Sequence, residues 1–121
     1  QEHTNDDMKG RNKPMTAREI IDFAVKQIAW HRKDIEWNKK QIEFCNGELK
    51  RTRKEDAELK AWALKNRPDD PLTLRIYGGK YIGSETRKYI NERAKHYRDI
   101  KHDEKWIAKY QKQITEWECY L

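Results

Sequence analysis

Two rows of side chains recur every seven residues through the first half of this chain, and that repeat constrains the fold more than any other feature. Ile21, Ile28, Ile35, Ile42 and Leu49 make one row, and Ala63 returns to it after Asp56 interrupts. Phe23, Trp30, Trp37 and Phe44 make the second. A seven-residue period held over so many turns marks a long helix in a coiled-coil-like seam. At about 100° per residue the two rows stand roughly 200° apart. The strip between them, Ala24, His31, Asn38 and Cys45, is small or polar. The spacing therefore predicts a helix with two apolar flanks and a milder middle, gripped from both sides as in a bundle or at a dimer seam.

Local signals set the limits of that helix. Thr16-Ala17-Arg18-Glu19 is a capping box, with hydroxyl and carboxylate each able to satisfy the other residue's amide. Asn46-Gly47 is the one internal breaker, yet the seven-residue register runs unbroken from Ile42 to Leu49, which argues for continuity. A helix over residues 17–66 would be about 75 Å long. Asn66-Arg67-Pro68-Asp69-Asp70-Pro71 ends it. Residues 67–83 then form a tip. Leu72–Tyr77 and Lys80–Gly83 around Gly78-Gly79 favour a short β-hairpin. The rival reading is a brief helix capped by Asp70, with Pro71 first and Gly78 as its stop. Ser84 is expected to cap a second long helix, residues 84–119, with the apolar set Tyr89, Ile90, Tyr97, Ile100, Ile107, Tyr110, Ile114, Trp117 and Leu121. Its seam spacing holds once Asp103 is passed over.

The expected fold is mainly α: two long antiparallel helices joined by a β-hairpin or loop tip. Opposed residue numbers should sum to about 150, and a second copy would complete a helical bundle. Residues 1–14 read as a disordered or leader-like N-terminus, and 15–121 as one helical domain.

Composition narrows the function. Charged residues make up 40% of the chain and apolar ones 36%, which is expected to exclude a membrane span, a large self-contained core and most substrate pockets. Thirteen aromatics (five Trp, six Tyr, two Phe) argue equally against disorder. The net charge of +6 favours acidic partners without marking any segment as a basic arm. Two cysteines make no disulfide framework, and a reducing cytoplasm is the expected compartment. Nucleophile elbow, phosphate-binding glycine loop, HExxH and CxxC are all absent, so no enzyme and no cofactor is expected.

Three groups remain as candidate contacts. Phe23, Trp30, Trp37 and Phe44 could grip a protein partner, although aromatics at this spacing more often fill a core or dimer seam. Lys26, Lys33 and Lys40, with the cluster Lys50, Arg51, Arg53 and Lys54, could meet phosphates or an acidic surface. The plainer reading is the solvated face of a bundle helix. Arg75, Tyr77, Lys80 and Tyr81 gather at the tip, where recognition often sits. A summed register near 150 would also set His31 beside Cys119, and Cys45 beside His102 or Trp106. A shared zinc site is conceivable from that, but seam-filling is the better expectation, and no metal is assigned.

The leading expectation is a non-enzymatic helical interaction protein and homodimer that binds a macromolecular partner. That partner would be a protein that handles nucleic acid, with this chain as a regulator or inhibitor of the mobile-element type. The alternatives are sequence-independent nucleic-acid binding and a structural dimerisation or assembly module.

Overall fold

The computed structural model describes residues 14–121; apart from Pro14, the expected leader-like segment lies outside the described residues. Among the described residues the chain is mainly helical, with no strand. Helix α1 spans Ala17–Asn66, α2 spans Pro71–Tyr77, and α3 spans Ser84–Glu118.

The capping box opens α1. The Glu19 amide donates to Thr16 Oγ1 at 3.1 Å, and the Thr16 amide donates to Glu19 Oε1 at 3.3 Å. The helix passes through Asn46-Gly47 unbroken. Asn46 turns its amide oxygen toward α3, where Arg93 Nη1 donates to it at 2.8 Å, so it does not serve as a cap.

The hairpin expected at the tip is replaced by α2. Asp70 Oδ2 accepts from the Thr73 amide at 3.2 Å and from the Thr73 hydroxyl at 2.7 Å, while Pro71 takes the first helical position. The Gly78 amide closes the last turn on the Leu74 carbonyl. A capped start followed by proline outweighs the alternating pattern of Leu72, Leu74 and Ile76, because these three find no sheet and stay exposed.

The cap of α3 is also corrected. The Arg87 amide donates to the Gly83 carbonyl, so Gly83 holds the cap position and Ser84 is the first helical residue. Gly83 has no side chain to do the work. Asp56 of α1 does it instead, accepting from the Gly83 amide at 3.0 Å and the Thr86 hydroxyl at 2.5 Å.

The described chain divides into two compact units. The first joins α1 up to Lys33 with Asp103–Leu121; its buried residues are Ile21, Ala24, Ile28, His31 and Asp103. The second is Asp34–His102, with Asn38, Ile42, Cys45, Leu49, Thr52, Ala63, Thr73 and Thr86 buried. In each unit the paired contacts run antiparallel: Phe23 with Tyr110 and His31 with Asp103 in the first, Asn38 with His96 and Arg51 with Glu85 in the second.

The strip expected to be a mild middle is the deepest part of the seam. Ala24, Asn38 and Cys45 are each no more than 2% exposed, as is Thr52 one repeat further on, and Ile21, Ile28, Ile42 and Leu49 of the isoleucine row lie buried beside them with Ile35 half-buried. Positions three and four apart share one face of a helix, so in each unit the isoleucine row and this strip belong to the same seam. The aromatic row falls outside it: Phe23, Trp30, Trp37 and Phe44 are 49–58% exposed. One helix can bury one stripe against one partner, and small residues on the contact line let that partner approach.

Candidate functional site

The connector after α2 folds against the last turns of α1 and makes a cleft in the second unit. From α1 come Arg53, Asp56, Ala57 and Lys60, one helical face repeating every three or four residues. Lys80, Tyr81 and Ile82 come from the connector, and Thr86 and Ile90 from the start of α3. The cleft encloses about 450 Å³.

Two α1 side chains hold its walls together. Asp56 binds the connector to α1 through Gly83 and Thr86, as above, and Lys60 Nζ donates to the Gly79 carbonyl at 2.5 Å. Tyr81 leans on Tyr77, with ring centroids 4.7 Å apart. Burial pushes the Tyr81 phenol up from its ordinary range, and Tyr77 and Asp56 add to the effect, so it stays neutral at physiological pH. Arg53, Lys60 and Lys80 set three positive charges against the one carboxylate of Asp56, which is already engaged by two donors.

The tip quartet is therefore split. Lys80 and Tyr81 line the cleft, Tyr77 backs Tyr81, and Arg75 stands exposed on α2 without lining it. The basic cluster is split as well. Arg51 reaches Glu48 at 2.6 Å, Glu85 at 2.8 Å and Glu55 at 3.0 Å, so its guanidinium is engaged internally. Its hydrogen bond to Glu48, then those to Glu85 and Glu55, push the Arg51 pKa far up, and the same Arg51–Glu48 bond holds Glu48 below the usual carboxylate range. Only Arg53 of the cluster lines the cleft; Lys50 and Lys54 are exposed elsewhere on α1. Lys26 and Lys33 in the first unit and Lys40 in the second are all exposed.

Each aromatic of the ladder rests one edge on a ring beside the seam. Phe23 meets Tyr110 at 6.2 Å and Trp30 meets His31 at 4.9 Å in the first unit. In the second, Trp37 meets His96 at 5.5 Å and Phe44 meets Tyr89 at 6.3 Å. About half of each side chain remains open. Trp62, 56% exposed, joins this set in the second unit; it lies off the seven-residue row and escaped the sequence reading.

Inside the seams sit two polar pairs. His31 Nδ1 donates to Asp103 Oδ1 at 2.7 Å, under Trp106, whose ring stacks parallel to the imidazole. Asp103 Oδ2 is buried and unpartnered. In the second unit His96 Nδ1 donates to Asn38 Oδ1 at 2.7 Å, and the Asn38 amide donates to the Asp34 carbonyl and carboxylate. The expected neighbours are thus displaced. His31 faces Asp103 in place of Cys119, and Cys45 lies by Glu92 and Arg93 in place of His102 or Trp106. The summed register near 150 assumed that the two long helices meet from their tip ends onward. Instead α3 starts opposite Asp56, and the last turns of α1 carry the connector. Cys119 is exposed, with its thiol donating to the Glu116 carbonyl. Among the described residues no three His, Cys, Asp or Glu side chains gather to hold a metal, and no helix is long and apolar enough to cross a membrane.

No protein-family model matches this chain, and no curated protein or solved structure is detectably similar to it.

Proposed function

We propose that this chain is a non-enzymatic helical interaction protein, and that its exposed α1 aromatics are covered by protein, first of all by a second copy. The observation carrying this reading is the balance of burial. Among the described residues seven hydrophobic ones are buried, whereas fourteen large hydrophobics are exposed, among them Trp30 in the first unit and Trp37 and Trp62 in the second. Large aromatics left half open by the fold are the residue type that anchors protein interfaces. Phe23, Trp30, Trp37 and Phe44 rest against seam rings, so they are held in place and lose little conformational freedom on binding.

Light scattering over a concentration series tests the reading. A dimer is expected that dissociates on Trp30→Ala/Trp37→Ala while helix content is kept. A wild-type chain that stays monomeric at all concentrations removes the homodimer. If the immobilised chain then also captures no protein in a manner sensitive to the same double substitution, the interaction reading falls with it.

A further inference from the structure

The cleft between α1, the connector and α3 in the second unit has a composition that the interaction reading does not use. Its cations are Arg53, Lys60 and Lys80, and its interior is mostly apolar, with Ile82, Ile90 and the Tyr81 ring in the wall. A purely apolar ligand would leave three charges over it without counter-ions. A bare inorganic anion would leave the aliphatic and aromatic wall uncovered. The occupant that satisfies both is an anion carrying a flat, weakly polar body, and about 450 Å³ lies within the range of small-ligand sites.

We propose that this cleft binds a nucleotide unit, with its phosphate among Arg53, Lys60 and Lys80 and its base against Tyr81 and the isoleucines. Each part has a physical basis. Arg53 is exposed and makes no ion pair among the described residues, so its planar guanidinium can face phosphate oxygens with two donors. Lys80 is likewise exposed on the connector, while Lys60 is held at the cleft by Gly79 and adds charge from a fixed position. Tyr81 stays neutral and is braced by Tyr77, which suits a stacking platform. Asp56 fixes the backbone at Gly83, so the cleft is formed before a ligand arrives.

The same chemistry comes from two sources, a free mononucleotide or one unit of a single strand. Amide chemical-shift mapping on the full chain separates them, using AMP, adenosine, inorganic phosphate and a short single-stranded oligonucleotide as probes. AMP should shift the amides of residues 79–83, with adenosine and phosphate each at least about tenfold weaker. Arg53→Gln/Lys80→Gln should weaken AMP about tenfold or more and flatten the salt dependence. Tyr81→Leu should weaken AMP about tenfold while leaving inorganic phosphate unchanged. An oligonucleotide that binds more tightly than AMP, and is displaced by it, identifies a strand as the source; AMP binding without oligonucleotide binding identifies the free nucleotide. The wild-type map does not depend on any variant folding. The proposal is overturned if neither AMP nor the oligonucleotide moves residues 79–83 at about 10 mM, well above the affinities of ordinary ligand sites. It is equally overturned if the Arg53/Lys80 variant, with helix content intact, binds AMP like the wild type. Both outcomes leave the dimer measurement untouched, since that rests on α1 aromatics outside this cleft.

Discussion

Removing Asp103 should reveal how much of the first unit depends on a single buried polar contact. The His31 and Asp103 side chains are 10% and 3% exposed, and the bond between them is 2.7 Å long. Taking one partner out of a buried pair costs about 3–5 kcal/mol, because the other is left desolvated and unmatched. Here the figure should fall at or below the low end. Asp103 Oδ2 is already unpartnered, so the wild type bears about 1–3 kcal/mol that the substitution releases. We therefore expect Asp103→Leu to cost about 2–3 kcal/mol. His31→Leu/Asp103→Leu replaces both groups by apolar ones and should lie within about 1 kcal/mol of the wild type, or above it. His31→Leu strands the Asp103 carboxylate and should cost at least as much, so the coupling between the two positions is about 3 kcal/mol or more. Urea unfolding followed by helix circular dichroism measures all four corners of this cycle, at one fixed protein concentration so that self-association does not enter. If Asp103→Leu costs less than about 0.5 kcal/mol, or the double variant is no more stable than the single one, the reasoning from burial fails.

Three further outcomes are expected. Gly47→Ala should stabilise the chain by about 0.5–1 kcal/mol, since it lies in mid-helix with open space around its missing Cβ, whereas Gly83→Ala should destabilise it because a Cβ there runs into the Asp56 carboxylate; matching thermal shifts of the same sign would contradict this. In the native protein one thiol should react with an alkylating reagent, Cys119, and the second only in denaturant: Cys45 is 2% exposed, and burial, with Glu92 adding, pushes its thiol up; two fast thiols would show that the seam is open. The Thr73 hydroxyl, then the backbone amides of Thr73 and Leu72, hold Asp70 below its ordinary 3.8, so its stabilisation of α2 is present above that value and fades as pH falls through the lower folded one. Amide exchange at Thr73 should quicken over that range in the wild type but not in Asp70→Asn, which keeps a capping oxygen that does not titrate; identical profiles would remove Asp70 as the cause.

Much of the helical structure was legible because its causes are local. The capping box at Thr16 and Glu19 forms as the residues dictate. The register carried across Gly47 signalled an unbroken helix, and α1 has none of its bonds interrupted there. The two interruptions of the apolar rows, Asp56 and Asp103, looked like flaws and are both functional parts of the fold. Asp56 caps α3 from across the seam, and Asp103 receives the His31 proton donor. A carboxylate at a seam position asks for a buried partner, and that signal was available in the sequence. Its partner was not, because it depends on where α3 begins along α1.

The sequence by itself determined the two long helices, the seven-residue period and the cap of α1, all of which follow from side chains within a few residues of one another. Only the tertiary structure decided which stripe is buried, since two rows of similar hydrophobicity compete and the one next to small residues allows the closer approach. It also decided that Arg51 is consumed by three carboxylates while Arg53, two residues on, faces a cleft. The difference is about 200° of helical rotation, which the sequence specifies, measured against the start of α3, which only the folded connector supplies.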